Sequence, residues 1–377
     1  MKRINILLLT FCTCFALAAW PQAGPQCRHH KFITFDAPGA GTGPGQGTWP
    51  GWTNLGGTTM GSYIDANGTN HGFMRYPDAT FTTIDVPGAG SDSGQGTSCL
   101  GMNLLGVLAG TYIDAVNVAH AFLRSRKGHI TKFDAPDAGT NPGQGTWALD
   151  VNIAGTIVGH YVDTNGVTHS YVRAANGAIT AFDAPDAGTD PGQGTAVGNF
   201  FDTITPAGAT TGYYFDAGFA FHAWVRAPNG TITEFDAPGA GTGPYQGTDA
   251  WGINPAGATT GFYWDASGDS VYHGFLRKPD GTFSLFDVPG AGTDPGEGTQ
   301  PGGINSWGAI SGLSIDGIGV AHGFVRAPNG TITLFDAPGA GNGGGQGTAP
   351  QSINEVGEVT GGYVDTNFVA HGFIRKP

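Results

Sequence analysis

Seven of the eleven histidines stand in one recurring context, His-small-aromatic-apolar-Arg, at His71, His120, His169, His222, His273, His322 and His371. Two aspartates accompany each copy. One sits in a Phe-Asp-Ala/Val-Pro tetrad, at Asp36, Asp85, Asp134, Asp183, Asp236, Asp287 and Asp336, with Ile84 replacing Phe once. The other follows an aromatic-x pair in most copies, at Asp65, Asp114, Asp163, Asp216, Asp265, Asp316 and Asp365. Imidazole and carboxylate are the groups of acid–base catalysis and of zinc binding. Zinc, however, needs three or four ligands within about 2 Å of one ion, and equivalent positions of separate repeats lie apart. Catalysis needs one constellation, so groups present seven times are read as scaffold. The expected roles are a His hydrogen-bonded to its hairpin or to the neighbouring repeat, and a tetrad Asp that shapes the turn whose exit Pro fixes. No metal centre and no catalytic residue is assigned to them.

The hairpin tips at Asp65, Asp163 and Asp365 are oxygen-rich and are candidates for weak Ca²⁺ binding, although they lack the further carboxylates of a full calcium loop. Function is sought where the repetition breaks. The candidate ligand-binding residues are Trp49, Trp147 and Trp251 at the starts of strands, Asn199 and Asp202 in a four-residue insertion, and Glu297, which stands where other copies carry Gln. Tryptophan faces suit sugar rings.

Positioning these residues requires short strands. The tetrad spacings are 49, 49, 49, 53, 51 and 49, and the histidine motif repeats with the same intervals. In the third copy, Thr146–Asn152, Thr156–Asp163, Val167–Arg173 and Ala178–Asp183 are β-prone runs separated by turn residues, two of the turns being Asn-Gly. No helical periodicity is visible after the first residues. A four-stranded antiparallel meander of this length, repeated, predicts an all-β, seven-bladed β-propeller. The last copy ends after its third strand, and Lys31–Asp36 offers the missing fourth, so the N-terminal strand is expected to complete the last blade and close the ring. Chain direction then places Asp163, Asn165, Gly166 and His169 at the end that also holds Asp183, Pro185 and Gln193. Asn152 and Arg173 fall towards the other end. A two-residue Asn67-Gly68 turn would set Ile64 opposite His71 and Tyr63 opposite Gly72, with each tyrosine lying over a small residue. Ser314 breaks that tyrosine series and is expected to leave a gap. The motif arginines are expected to pair with an acid or a carbonyl.

The tripeptide His120-Ala121-Phe122 and its six variants, such as His169-Ser170-Tyr171 and His222-Ala223-Trp224, resemble the extracellular HAF-repeat family over essentially the whole chain after its leader. The resemblance implies a secreted bacterial repeat protein with no established activity. Lys2 and Arg3 followed by an apolar run to Ala19 read as a signal peptide, 1–19, with a linker over 20–30 and one domain over 31–377. Cys27 and Cys99 are read as unpaired thiols in preference to a bridge.

Glycine and proline number 67 and 24 of 377 residues, yet 39% hydrophobic and 11% aromatic content excludes a disordered or collagen-like chain. A net charge of −13 argues against nucleic acid or an anionic membrane as partner, and no membrane span follows the leader. Phosphate loops, nucleophile elbows and His-Glu-x-x-His helices are missing from the sequence. The expected function is that of a monomeric, secreted (extracellular or periplasmic), non-catalytic scaffold that needs no cofactor and binds a glycan, a cell-wall polymer or a protein. The alternative is a carbohydrate-active lyase or hydrolase at the channel mouth, using Asp202, Glu297 or His160.

Overall fold

In the computed structural model, residues 31–198, 202–267 and 270–377 are described. The expected signal peptide and linker, Cys27 and Asn199 lie outside them. The described residues form 28 β-strands and no helix. β2 (Gly47–Thr53), β3 (Thr59–Ile64), β4 (Asn70–Arg75) and β5 (Phe81–Ile84) pair antiparallel in chain order. The same run of four starts again at β6 (Gly96–Met102), β10 (Gly145–Val151), β14 (Gly194–Val197), β18 (Gly247–Ile253) and β22 (Gly298–Ile304). The final run, β26 (Gly347–Ile353), β27 (Val359–Val364) and β28 (Ala370–Arg375), takes its outer strand from the other end of the domain. β1 (Phe32–Phe35) pairs with β28, Thr34 opposite Phe373. The strands thus close into a propeller-like ring.

Successive runs are joined through the Gln-Gly-Thr motif. Its Gly makes a single parallel bridge to the third strand of the preceding run, as Gly47 does to Ala370 and Gly96 to Asn70. Gly47 holds a φ of 116°, and a Cβ there would strike the Ala370 carbonyl, so only glycine serves. The Thr beside it is fully buried, and its hydroxyl accepts the N–H that follows the tetrad Asp: Ala37 to Thr48 at 2.9 Å, and likewise Val86 to Thr97 and Ala135 to Thr146 at 3.0 Å.

The core lies between neighbouring sheets. Met60, Met74 and Ile84 of one run pack with Cys99, Met102, Leu108 and Phe122 of the next. The aromatic of each His motif (Phe73, Phe122, Tyr171, Trp224, Phe275, Phe324, Phe373) is at most 1% exposed, which stabilises the ring by roughly 1.5–3 kcal/mol per side chain. Cys99 is a buried thiol in this core, and burial pushes its pKa up to about 12.

Two sequence expectations need correction. The hairpin turn has three residues, not two. Asp65 N–H donates to Thr69 O, Gly68 takes a φ of 85°, and the register becomes Tyr63 opposite His71 and Ser62 opposite Gly72. The extra residue is the bulge that follows a type I turn, and it flips the pairing by one. The motif arginines, in turn, do not seek an acid. Arg173 stands over the Phe133 ring at 4.5 Å, and Arg75, Arg226, Arg277, Arg326 and Arg375 cover Phe35, Phe182, Phe235, Phe286 and Phe335 at 4.5–4.9 Å. Each ring belongs to the tetrad of the preceding run, so the contact crosses the junction. Where the tetrad carries Ile84, Arg124 donates to Met74 Sδ at 3.4 Å instead.

Candidate binding sites

The repeated chemistry resolves into one arrangement at the hairpin-and-linker end. Each motif His bonds the tetrad Asp through Nδ1, as His169 does to Asp183 at 2.9 Å. Its Nε2 faces the hairpin Asp at 3.4–3.8 Å, and six of the seven rings stack on a tyrosine at 4.9–5.2 Å. The hydrogen bond that Asp183 accepts from the ring, followed by its charge and that of Asp163, raises the His169 pKa above the ordinary imidazole value. The hairpin carboxylates are already engaged. Asp65 Oδ1 accepts from the N–H groups of Asn67 and Thr69 at 2.8 Å, and Oδ2 accepts from Asn67 Nδ2 at 3.2 Å. Asp163 and Asp365 repeat this pattern. The histidines are thus half-buried parts of hairpin closure.

At the same end, the regular pattern changes on two adjacent runs. The positions filled by Ile64 and Asn70 in the first run become Phe215 and Phe221 on β15 (Thr210–Phe215) and β16 (Phe221–Arg226). On β19 (Thr259–Trp264) and β20 (Tyr272–Arg277) they become Trp264 and Tyr272. The rings form a continuous chain. Phe215 packs on Phe221 at 4.2 Å, Phe221 on Trp264 at 4.7 Å, and Trp264 on Phe262 at 5.0 Å. Phe262 meets Trp251 at 4.8 Å. Tyr245, 63% exposed, approaches Phe215 and Phe219 from the linker, and its N–H donates to Phe219 O at 2.8 Å. Phe215, Phe219, Phe221, Trp264 and Tyr272 are half-buried. Asp249, in register with Phe262, is buried, and desolvation pushes its pKa up to about 7.

The other end of the ring opens on an axial cavity of about 140 Å³. The inner strands bring to it the turn asparagines, which the sequence reading did not single out as a set. Asn103 Nδ2 donates to Asn152 O, Asn152 to Thr205 O, Asn254 to Asn305 O, Asn305 to Asn354 O and Asn354 to Thr53 O, at 2.9–3.3 Å. Their regular recurrence before x-x-Gly was the available signal. In the fourth copy, which carries the insertion, β14 ends at Val197, Gly198 N–H donates to Thr211 O, and Thr211 N–H donates to Thr203 O beside an isolated Ile204–Thr210 bridge. This places Asp202, at a φ of 68°, on the cavity wall. Asp150 lines the same cavity, with Oδ1 accepting from Val151 N–H and Oδ2 from the N–H groups of Thr203 and Ile204. Burial pushes Asp150 up to about 6. Asp202 rises well above the carboxylate range through burial, with the charges of Asp150 and Glu355 adding to it.

The remaining candidates are dispersed. Trp49 lies in a cleft with Ser62, Ile64, Asn70 and Ser98, and Trp147 packs beside His160 at 5.5 Å. Of the three acid–base candidates, only Asp202 lines the axial cavity. Glu297 sits in a linker turn, accepting Asp294 N–H at 2.9 Å. His160 is half-buried, and desolvation depresses its pKa to about 4.

No helix among the described residues is long and apolar enough to cross a membrane. No protein-family model matches the chain, and no curated protein sequence does. Among solved structures, the chain is similar to the BP39L lectin from Burkholderia pseudomallei, with a TM-score of 0.55 and 11% identity over 86% of this chain and 94% of the lectin. It is also similar to a puromycin hydrolase, with a TM-score of 0.52 and 11% identity over 84% of this chain, and it spans about half (50%) of that longer chain. At such identity the likeness is one of propeller-like fold.

Proposed function

We propose that the chain is an exported, seven-bladed propeller of four-stranded blades that binds a glycan without transforming it. The observation that carries this reading is the aromatic surface of Phe215, Phe219, Phe221, Tyr245, Trp264 and Tyr272, gathered on two adjacent runs. At the strand positions of Phe215, Phe221, Trp264 and Tyr272 the other copies carry Ile, Val, Ala, Thr or Asn. Half-exposed rings at the edge of a rigid scaffold give flat apolar platforms for the C–H faces of sugars. The carboxylates of Asp216 and Asp236, 35% and 45% exposed, stand at the same end as acceptors for hydroxyls. The fold shared with a lectin and the resemblance to secreted repeats support this reading. Export from the cell and the monomeric state belong to the same proposal.

The test is a glycan array followed by calorimetry on the protein from residue 31 onward. Trp264→Ala or Phe221→Ala should weaken binding at least tenfold, about 1.4 kcal/mol at 25 °C, while Trp49→Ala leaves it within twofold. Equal binding by all variants would remove the aromatic surface from the function. New reducing ends or unsaturated products on incubation with polysaccharide would replace binding by catalysis.

A further inference from the structure

The axial cavity has a chemistry distinct from that of the aromatic surface. Among the described residues, its lining contains Asp150, Asp202 and, at the mouth, Glu355, and no Lys, Arg or His. Asp202 Oδ2 is withdrawn from solvent and accepts no hydrogen bond from the described residues. A buried acceptor without a donor costs on the order of 1–3 kcal/mol, more when charged, so an orphan here calls for a donor from outside. Gly303 keeps side-chain atoms away from it: a Cβ there would come within 3.1 Å of that oxygen and 3.0 Å of Ser352 Cα. The surrounding wall is apolar, made by Met102, Val151, Ile253, Ile304 and Ile353.

The polar inventory decides what the donor is. Calcium takes six to eight oxygens, and the oxygens here are already in use. Asn103, Asn152, Asn305 and Asn354 each accept two backbone N–H groups through Oδ1 and donate Nδ2 to a neighbouring carbonyl. Asp150 accepts three N–H groups, and Glu355 accepts from Ser306 N–H and Oγ. A sugar would bring several hydroxyls to a wall of aliphatic side chains. A single cationic donor on an apolar body satisfies every group at once. It pairs with the orphan oxygen, offsets the repulsion among three carboxyls, and leaves its carbon stem on the isoleucines. A cavity of about 150 Å³ holds a molecule the size of benzene, so a stem of five or six carbons fits the 140 Å³ found here.

We propose that the axial cavity is a binding site for a primary ammonium on a short aliphatic stem, with the ammonium donating to Asp202 Oδ2. A free alkylamine and a lysine side chain share this chemistry. The titratable groups facing Asp202 among the described residues are Asp150 and Glu355, both acidic.

Calorimetry at pH 8 with n-pentylammonium chloride should show binding, with 1-pentanol at least tenfold weaker. Affinity should fall as the pH is lowered to 5, and the heat should vary with buffer as Asp202 gives up its proton. Asp202→Asn should abolish the preference for amine over alcohol, and Glu355→Gln should weaken amine binding several-fold. Nα-acetyl-lysine amide, run beside pentylammonium, separates a peptide source from a free amine by which binds tighter. Equal affinity for amine and alcohol, an unchanged Asp202→Asn variant, or micromolar calcium binding that excludes pentylammonium would each overturn the proposal. Should Asp202→Asn fail to fold, the amine–alcohol contrast in the unaltered protein and the Glu355→Gln result still decide. Trp264→Ala should retain amine binding, which separates this site from the glycan surface.

Discussion

Tyr161 lies on His169 with ring centroids 5.0 Å apart, and His169 in turn joins two strands' worth of carboxylate, Asp163 and Asp183. Ser314 interrupts that stack. His322 is then 32% exposed, where its counterparts are 19–24%. A Cβ on Gly290 would meet nothing within 4 Å, whereas Cβ atoms on Gly39 and Gly339 would touch tyrosine oxygens at 3.2 and 3.3 Å. Ser314→Tyr should therefore fill a real space and stabilise the protein by about 1 kcal/mol, read as a rise of roughly 2 °C in melting temperature. A fall would mean that the space is closed in solution. The gap was legible because the tyrosine series is visible in the sequence. The partner of the tyrosine was not, because one bulge residue in Ala66-Asn67-Gly68 decides between Gly72 and His71, and Asn-Gly occurs in both two- and three-residue turns.

At the scale of elements, the arginine that ends the third strand clamps the tetrad phenylalanine of the run before it in six of the seven runs. Arg173→Ala should cost about 2 kcal/mol, combining a lost cation–π contact with lost packing of its stem. Phe133→Ala in the same background should then cost less than it does alone, since the two share one contact. Arg124→Ala, which faces Met74 instead of a ring, should be milder, and chemical denaturation of the set measures all of these. A result in which Arg124→Ala is as costly as Arg173→Ala would show that the rings contribute little. The sequence shows the Phe and the Arg of this pair with the same spacings, yet no local rule says that residues in adjacent repeats meet. An acid or a carbonyl was the expected partner because arginine is seldom buried without one. The aromatic positions at Phe215, Phe221, Trp264 and Tyr272 were equally visible, but only once the true register aligned them with Ile64 and Asn70.

For the molecule as a whole, the seam is closed by the four residues of β1 beside β28 and by β2, through the Gly47–Ala370 bridge and the bond from Asn354 Nδ2 to Thr53 O. Removing residues 31–36 should leave β28 with a bare edge, lower the melting temperature by about 10 °C or more, and broaden unfolding as the ends of an opened row fray first. A sharp, unshifted transition would show that the ring does not depend on its seam. Strand count and closure were readable from the ends of the repeats. The axial cavity was not, since it is built from seven turns that only a closed ring brings together, and from an insertion whose backbone no repeat copy templates.

The seam has a consequence for the order in which the chain is written. Arg75 reaches Phe35 across it just as Arg173 reaches Phe133 elsewhere, and Thr48 holds Ala37 just as Thr146 holds Ala135. Nothing in these contacts records where synthesis starts. Joining the old termini through a copy of one Gly-Pro connector and cutting at another would preserve each of them, so the same circle is open to being spelled from several starting letters.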